Sequence, residues 1–194
     1  MFAAHANVRD AHLARFVQAN AMAMPFPKRS FDFVFSIGVA QHTPDPLEFL
    51  RSAAEAVAPG GRAAFWVYER RLDSVVRPKY LLRPITSRMS AKTNMRFSEA
   101  LVDGFFPLAQ RLAKLPGIVR KIALRSLPIA TYLDQLPLSE VAQREWSVLD
   151  TLDWYSPRFD KPQKFADVAG VLTDAGATRV VRGRAPGLTA DAWF

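Results

Sequence analysis

The order of apolar and polar residues predicts alternating strands and helices in the first third of the chain. Residues 31–39 (FDFVFSIGV) form a nearly continuous aromatic and β-branched run, which is typical of a strand covered on both faces of a parallel sheet. Asp45 and Pro46 suit the cap and the first position of a helix over residues 46–57. Residues 63–68 (AAFWVY) predict a second buried strand, parallel to the first because a helix connects the two.

Shorter elements are predicted on both sides of this unit. Residues 2–15 predict a helix, residues 15–19 predict a short strand, and Pro59-Gly60-Gly61 predicts a tight turn. Near the end of the chain, residues 164–175 predict a helix that stops at Gly176. Strands follow at residues 177–182 and 188–194. The pattern therefore predicts an α/β fold.

The middle of the chain lacks this alternation. Residues 97–114 and 118–127 predict amphipathic helices, and the prolines at positions 84, 107, 116, 128 and 137 are predicted to divide the segment into short pieces. We therefore expect three parts: residues 1–69, a helical insert over residues 70–150, and residues 151–194.

Positive charge is concentrated in this predicted insert. Residues 70–130 contain 13 Lys and Arg but three acidic residues, so this segment accounts for more than the net charge of +8. One interpretation is a solvated helical cap over an active site. A second is peripheral contact with a membrane, because basic residues alternate with apolar ones: Phe105, Phe106, Leu108, Leu112, Leu115, Ile118, Val119, Ile122, Leu124 and Leu127. Nucleic acid is not expected, since few aromatic residues lie between the basic positions.

Composition excludes several classes of protein. The chain has no cysteine, so disulfides and thiolate metal sites are impossible, and we expect a cytoplasmic location. No apolar run approaches the roughly 20 residues of a transmembrane helix, and no secretory signal is visible. We expect no metal site, because His5 and His12 have no further ligands at suitable spacing.

Several short motifs resemble a known family when they are taken together. These are residues 16–21 (FVQANA), 24–26 (MPF), 31–32 (FD), 35–39 (FSIGV), 42–45 (HTPD) and 59–61 (PGG). In order and spacing they are similar to the middle motifs of class I S-adenosylmethionine-dependent methyltransferases of the type 11 group, which includes the ubiquinone and menaquinone C-methyltransferases. The resemblance covers residues 2–68, and residues 153–158 (DWYSPR) are similar to the carboxy-terminal end of some members.

The resemblance implies a partial Rossmann-like sheet, mostly parallel, that lacks the family's first two strands and carries a helical insert. The glycine-rich turn of the family is absent, since no Gly-x-Gly pattern occurs in the chain. We therefore expect a chain that is truncated at its amino-terminal end. Strands of such sheets bind their ligands at their carboxyl ends.

The resemblance also implies a cofactor and a set of site residues. Asn20 stands where the family usually has an acidic residue that accepts the adenine amine of S-adenosylmethionine, and the backbone of Ala21 would contact the adenine ring. The positions implied to lie against the methionine end of this cofactor are Ser36, Ile37 and Gly38. Alternatively, Asn20 is an ordinary turn residue, and Ser36 and Gly38 form a strand end without a ligand.

Other residues are implied to act on the methyl acceptor. His42 matches a position near the reacting methyl group and is the candidate catalytic base. Alternatively, it caps a loop or forms hydrogen bonds with backbone groups. Trp154, Tyr155 and Arg158 are candidates for a loop that covers the substrate, and aromatic packing is the alternative for them. The function implied is methyl transfer to a small or lipid-like acceptor. The alternative is a non-catalytic remnant that serves as a binding or membrane-surface module.

Overall fold

The computed structural model describes residues 14–70, 78–133, 137–184 and 187–194. The chain divides into two compact units, an α/β unit (residues 1–69 and 161–194) and a helical unit (residues 70–160). The helix predicted over residues 2–15 lies almost wholly outside the described residues. None of the helices in the described part is long and apolar enough to cross a bilayer.

The elements follow one another in an order that alternates strands and helices only at the two ends of the chain. In chain order they are β1 (Phe31–Ile37), α1 (Pro46–Glu55), β2 (Val57–Val67), α2 (Pro78–Thr86), α3 (Ala91–Leu112), α4 (Gly117–Arg125), α5 (Glu140–Tyr155), α6 (Phe165–Asp174), β3 (Arg179–Arg182) and β4 (Leu188–Trp193). A short 3₁₀ turn, Ala40–His42, lies between β1 and α1.

The α/β unit contains a mixed four-stranded sheet with the order β1-β2-β4-β3. β1 is parallel to β2, whereas β4 is antiparallel to both of its neighbours. The α/β class and the predicted parallel pair are thus confirmed, and the sheet has one parallel pair rather than being mostly parallel. Asp45 caps α1 by accepting hydrogen bonds from the backbone N–H groups of Leu47 and Glu48, each at 3.1 Å, as predicted.

Helices α1 and α6 pack against one face of this sheet and form the main core. Its fully or nearly buried members include Phe49, Leu50, Ala53, Ala63, Phe65, Val67, Val168, Leu172, Leu188, Ala190 and Ala192. Burial of these side chains supplies the hydrophobic stabilisation of the unit, at about 25 cal/mol per Å² of apolar surface. The prediction that β1 is covered on both faces is wrong. Phe33, Phe35 and Ile37 are 53%, 63% and 67% exposed, because the described helices of this unit pack on the other face.

The exposed face of the sheet holds a shallow cavity of about 670 Å³. Phe33 and Phe35 stack with their ring centroids 5.9 Å apart, and Ile37, Trp66 and Asp191 complete much of the lining. We call this surface the open sheet face.

The Pro-Gly-Gly sequence does not form a separate tight turn, which corrects the prediction. These residues lie inside β2, where the register with β1 shifts between Phe31 and Phe33. Gly60 has a φ of +82°, and its N–H donates to the carbonyl of Phe194 at 2.8 Å. The glycines therefore allow one long strand to bend and continue, rather than ending it.

The strand predicted at residues 15–19 is also wrong. Residues 14–20 have no regular secondary structure and lie at or near the surface. A strand is stable only when a neighbour accepts and donates its backbone hydrogen bonds, and no described strand of the sheet pairs with this segment. Downstream of it, Ala21, Met22 and Met24 pack against the core of the α/β unit.

The helical unit is built around α3 and α5. Val102, Phe106 and Ala109 of α3 form a second core with Val148 of α5, together with Leu127 and Ile129 from the connection after α4. The predicted breaks at Pro84 and Pro107 do not occur, since both prolines lie inside helices. Phe106 and Ala109 are buried on either side of Pro107, and this packing outweighs the loss of one backbone hydrogen bond.

A buried ionic cluster fixes the end of the helical unit. Lys79 Nζ lies 2.7 Å from a carboxylate oxygen of Asp160, and Arg83 donates to the carbonyls of Trp154 and Pro157 at 2.7 and 2.9 Å. These bonds join α2 to the segment that follows α5. Residues 151–160 therefore belong to the helical unit.

Candidate functional site

The carboxyl ends of β1 and β2 lie at the same edge of the sheet because the two strands are parallel. At this edge the backbone N–H of Gly38 donates to the carbonyl of Trp66 at 2.9 Å. Gly38 has a φ of +69°, and a Cβ at this position would stand 3.4 Å from the Trp66 ring. The positive φ therefore favours glycine here, whereas the Trp66 ring would only touch a side chain at this position.

Buried polar atoms without hydrogen-bond partners surround this strand end. The side chain of Gln41 is fully buried in the 3₁₀ turn, and neither its amide oxygen nor its amide nitrogen has a partner among the described residues. The hydroxyl of Ser36 in β1 is also buried and has no hydrogen-bond partner among the described residues. The Gln41 amide nitrogen lies 3.8 Å from the space that a Cβ on Gly38 would fill. Burying such groups without a partner is costly, so each of them calls for an explanation.

The backbone holds Gln41 firmly in this position. Its carbonyl accepts a hydrogen bond from the N–H of Lys161 at 2.9 Å, and Lys161 Nζ donates to the carbonyl of Pro44 at 2.6 Å. Thr43 donates its hydroxyl to the carbonyl of Ala40 at 2.7 Å and so closes the turn. The fold of the turn therefore fixes the backbone position of Gln41.

Three aromatic rings lie beside these polar groups. The ring of His42 contacts that of Tyr68 edge to face, with centroids 5.6 Å apart, and Tyr68 contacts Trp66 in the same manner at 5.6 Å. His42 is half-buried. Of the residues predicted for the site, Gly38 lies against Trp66 and His42 lies against Tyr68. Ile37 lines the cavity of the open sheet face, as Trp66 does.

Asn20 and Ala21 lie at the start of a turn that precedes β1. The Asn20 side-chain oxygen accepts a hydrogen bond from the backbone N–H of Met22 at 3.0 Å, and its carbonyl accepts from Ala23. Asn20 is exposed. Contact of these two residues with an adenine ring stays a prediction, and the local hydrogen bond already occupies part of the acceptor capacity of Asn20.

The candidate substrate residues lie in the helical unit. Tyr155 is fully buried, its hydroxyl donates to the carbonyl of Pro128 at 2.8 Å, and its ring contacts Phe97 edge to face at 5.5 Å. Burial raises the pKa of Tyr155 to about 12. Trp154 is half-buried and Arg158 is exposed. The contacts of Tyr155 fit the packing interpretation, and a substrate role for the three residues stays a prediction.

Sequence reasoning missed Gln41, Trp66 and Tyr68. A signal for Gln41 was available, since it is a polar residue in an apolar stretch between a strand and a proline-bounded helix start. Trp66 and Tyr68 alternate at the end of a predicted strand, but period-two patterns do not tell which face of a sheet lacks a helical cover.

Comparison with known proteins finds a family match over the first third of the chain. Residues 1–65 match the family model described as a methyltransferase domain. The sheet described above and the polar groups at the carboxyl ends of its parallel strands agree with that class of protein. Residues 1–65 are thus similar to a methyltransferase domain, and the resemblance of the motifs to class I S-adenosylmethionine-dependent methyltransferases is confirmed for this part of the chain.

Individual relatives cover a small part of the chain. It is 43% identical over 49 residues to the 27-O-demethylrifamycin SV methyltransferase of Amycolatopsis mediterranei, which is 25% of this chain and 18% of that protein. It is 32% identical over 76 residues to the 2-methyl-6-phytyl-1,4-hydroquinone methyltransferase of Synechocystis, which is 39% of this chain and 24% of that protein. The matches thus span less than a quarter of either relative.

The structure of the S-adenosylmethionine-dependent methyltransferase SibL, solved in its apo form, is also similar. It is 16% identical, and the match covers 99% of this chain and 38% of that one at a TM-score of 0.43.

Proposed function

We propose that this chain takes part in S-adenosylmethionine-dependent methyl transfer to a small or lipid-like acceptor. The observation that carries this proposal is the buried amide of Gln41 beside Gly38, together with the buried hydroxyl of Ser36 in β1, since neither group has a hydrogen-bond partner among the described residues. A relative named for a phytyl hydroquinone supports the lipid-like class of acceptor.

The residues at this strand end fit the amino-acid end of S-adenosylmethionine. Its ammonium and carboxylate groups need hydrogen-bond acceptors and donors, and the amide of Gln41 supplies one acceptor oxygen and two N–H donors. When bound, S-adenosylmethionine supplies an electrophilic methyl group on a sulfonium sulfur, so the remaining requirements are alignment of the acceptor and removal of its proton.

We assign proton removal to His42. It lies at the same strand end, and its contact with Tyr68 fixes the plane of the imidazole ring. In this role His42→Asn lowers kcat by about 10²–10⁴-fold while leaving cofactor affinity unchanged, because general bases contribute on that order. Turnover of His42→Asn equal to that of the unmodified chain would remove His42 from the mechanism.

The test of the cofactor site is the substitution Gln41→Met, followed by thermal unfolding and by calorimetric titration with S-adenosylmethionine. Methionine has a similar volume without the unpaired amide, so we expect the ligand-free protein to gain about 1 kcal/mol of unfolding free energy. We expect the same substitution to weaken S-adenosylmethionine binding about tenfold, since one or two hydrogen bonds are lost.

The matched control is Gln110→Met in α3, where the side-chain amide donates to Glu140 at 2.8 Å. This variant should leave cofactor affinity unchanged. If the unmodified chain gives no binding heat at millimolar cofactor, the non-catalytic alternative replaces the proposal. If cofactor binds but Gln41→Met binds equally well, the methionine end lies elsewhere.

The peripheral membrane contact predicted for the basic helical segment is likewise a proposal. It is carried by the exposed side chains of α4. A cytoplasmic location stays a prediction.

A further inference from the structure

Helix α4 in the helical unit turns its apolar face away from the protein. Ile118, Val119 and Ile122 are 68%, 53% and 64% exposed, and the helix contains no buried residue. With 100° between successive residues, these three side chains lie within one third of the helix circumference. Leu124 lies on the opposite side and packs against the core of the helical unit. An ordinary surface helix has the reverse arrangement, with its apolar stripe facing the core.

Positive charge flanks this apolar face. No Asp or Glu occurs between residues 104 and 133, whereas the same stretch contains five Lys and Arg. Lys121 is exposed on α4 next to Ile118 around the helix, and Lys114 is exposed in the turn that precedes the helix. An outward apolar stripe with basic residues along its margin is the pattern of a helix that lies in the interface of an anionic membrane.

We propose that α4 docks the helical unit onto an anionic lipid bilayer, with Ile118 and Ile122 inserted among the headgroups and Lys114 and Lys121 at the phosphate level. A second copy of the chain fits this surface poorly, because it would bring a further set of cations against the first. Nucleic acid fits poorly as well, since residues 117–125 (GIVRKIALR) contain no aromatic ring on which a base could stack.

The inference rests on the proposed function and deepens it by naming an anionic lipid surface as a partner of the helical unit. The experiment that tests it uses neither cofactor nor turnover. Failure of membrane binding would therefore leave the methyl-transfer proposal standing, and failure of methyl transfer would leave the membrane proposal standing.

The experiment is co-sedimentation of the 194-residue chain with vesicles of phosphatidylcholine alone and of phosphatidylcholine with added phosphatidylglycerol. We expect binding to the anionic vesicles that decreases as salt is added, and little binding to the neutral ones. Replacing Lys114 and Lys121 by glutamine should weaken the partition constant about fivefold per residue. Ile118→Ser with Ile122→Ser should weaken it by about tenfold or more per residue, because apolar burial is lost.

Val141→Ser is the matched control. Val141 is also 68% exposed, but it lies on α5 close to Glu140 and Glu145, where an anionic surface is repelled. This variant should bind vesicles like the unmodified chain. Circular dichroism should show unchanged helix content in all variants, since each substituted side chain is exposed.

Three outcomes overturn the proposal. These are equal binding to neutral and anionic vesicles, unchanged binding of the double isoleucine variant, and an absence of vesicle binding together with salt-dependent binding to single-stranded RNA. The last of these would assign the positive surface to nucleic acid.

Discussion

At the scale of single residues, Tyr155 shows how much one buried hydroxyl contributes to the helical unit. Its hydrogen bond to the carbonyl of Pro128 joins the end of α5 to the connection after α4. Tyr155→Phe keeps the ring contact with Phe97 and removes only this bond, so we expect a loss of about 1 kcal/mol of unfolding free energy. Urea unfolding measures the difference, and an unchanged midpoint would show that the bond contributes nothing.

The same residue predicts a dependence on alkaline pH. Burial raises the pKa of Tyr155 from 10.0 to about 12, so the folded protein keeps a proton that the unfolded chain loses between these values. The contribution of Tyr155 to the unfolding free energy is therefore fully present below pH 10, and it is lost as the pH rises through about 12. Across this pH window the melting temperature of the unmodified chain should fall more steeply than that of Tyr155→Phe. Parallel plots of melting temperature against pH would contradict the assignment of this effect to Tyr155.

The resemblance to a methyltransferase family, and not residue identity alone, indicated Ser36, Gly38 and His42. The structure places Ser36 in β1, Gly38 directly after it and His42 in the 3₁₀ turn that follows, and their roles stay predictions. Gln41 was missed because its importance lies in what it does not contact, and an unpaired buried amide cannot be read from composition. The local bond from the Asn20 side chain to the backbone of Met22 was equally invisible in the sequence.

At the scale of elements, the two glycines in β2 have different roles, and replacing each by alanine should cost different amounts of unfolding free energy. Gly60 has a positive φ but open space where a side chain would project, so Gly60→Ala should cost about 1 kcal/mol of backbone strain. At Gly61 a Cβ would lie 2.8 Å from the carbonyl oxygen of Ala58 and 2.9 Å from that of Asp32. Because backbone atoms of both strands would have to move, Gly61→Ala should cost at least about 2 kcal/mol.

Denaturant titration of the two alanine variants measures these costs side by side. The result that contradicts the described bend in β2 is a smaller loss for Gly61→Ala than for Gly60→Ala. Alanine at Gly170, a helical position with nothing within 4 Å, serves as the control and should leave stability equal or slightly raised.

Helices and paired strands with strong local signals were predictable, and elements that depend on distant partners were not. α1, α6 and β1 have such signals in the form of a capping Asp45, a terminating Gly176 and a continuous apolar run. Pro107 should have ended α3 on local grounds, yet the packing of α3 against α5 overrides it. Conversely, residues 15–19 have strand-like composition but lack a neighbouring strand among the described residues, and pairing partners are not encoded locally.

At the scale of the whole molecule, the open sheet face is the feature that differs most from the sequence prediction. β1 pairs with β2 on one side, and on its other side no described strand is present. Its aromatic residues are exposed over a surface that includes a cavity of about 670 Å³. Monomeric proteins rarely present a contiguous apolar patch together with an unpaired strand edge, because both promote association.

We therefore expect the isolated 194-residue chain to self-associate through the open sheet face. Replacing Phe33 and Phe35 by threonine places a β-branched residue at each position, so the strand is retained while the apolar surface is reduced. Light scattering after size-exclusion chromatography should show a concentration-dependent increase in mass for the unmodified chain and a shift towards the monomer for the double variant. Val141→Ser removes a similarly exposed apolar residue that does not line the open sheet face, and it should leave the mass distribution unchanged. A strictly monomeric unmodified chain at high concentration would show that this face is covered in solution, and the exposure of Phe33 and Phe35 would then be wrong.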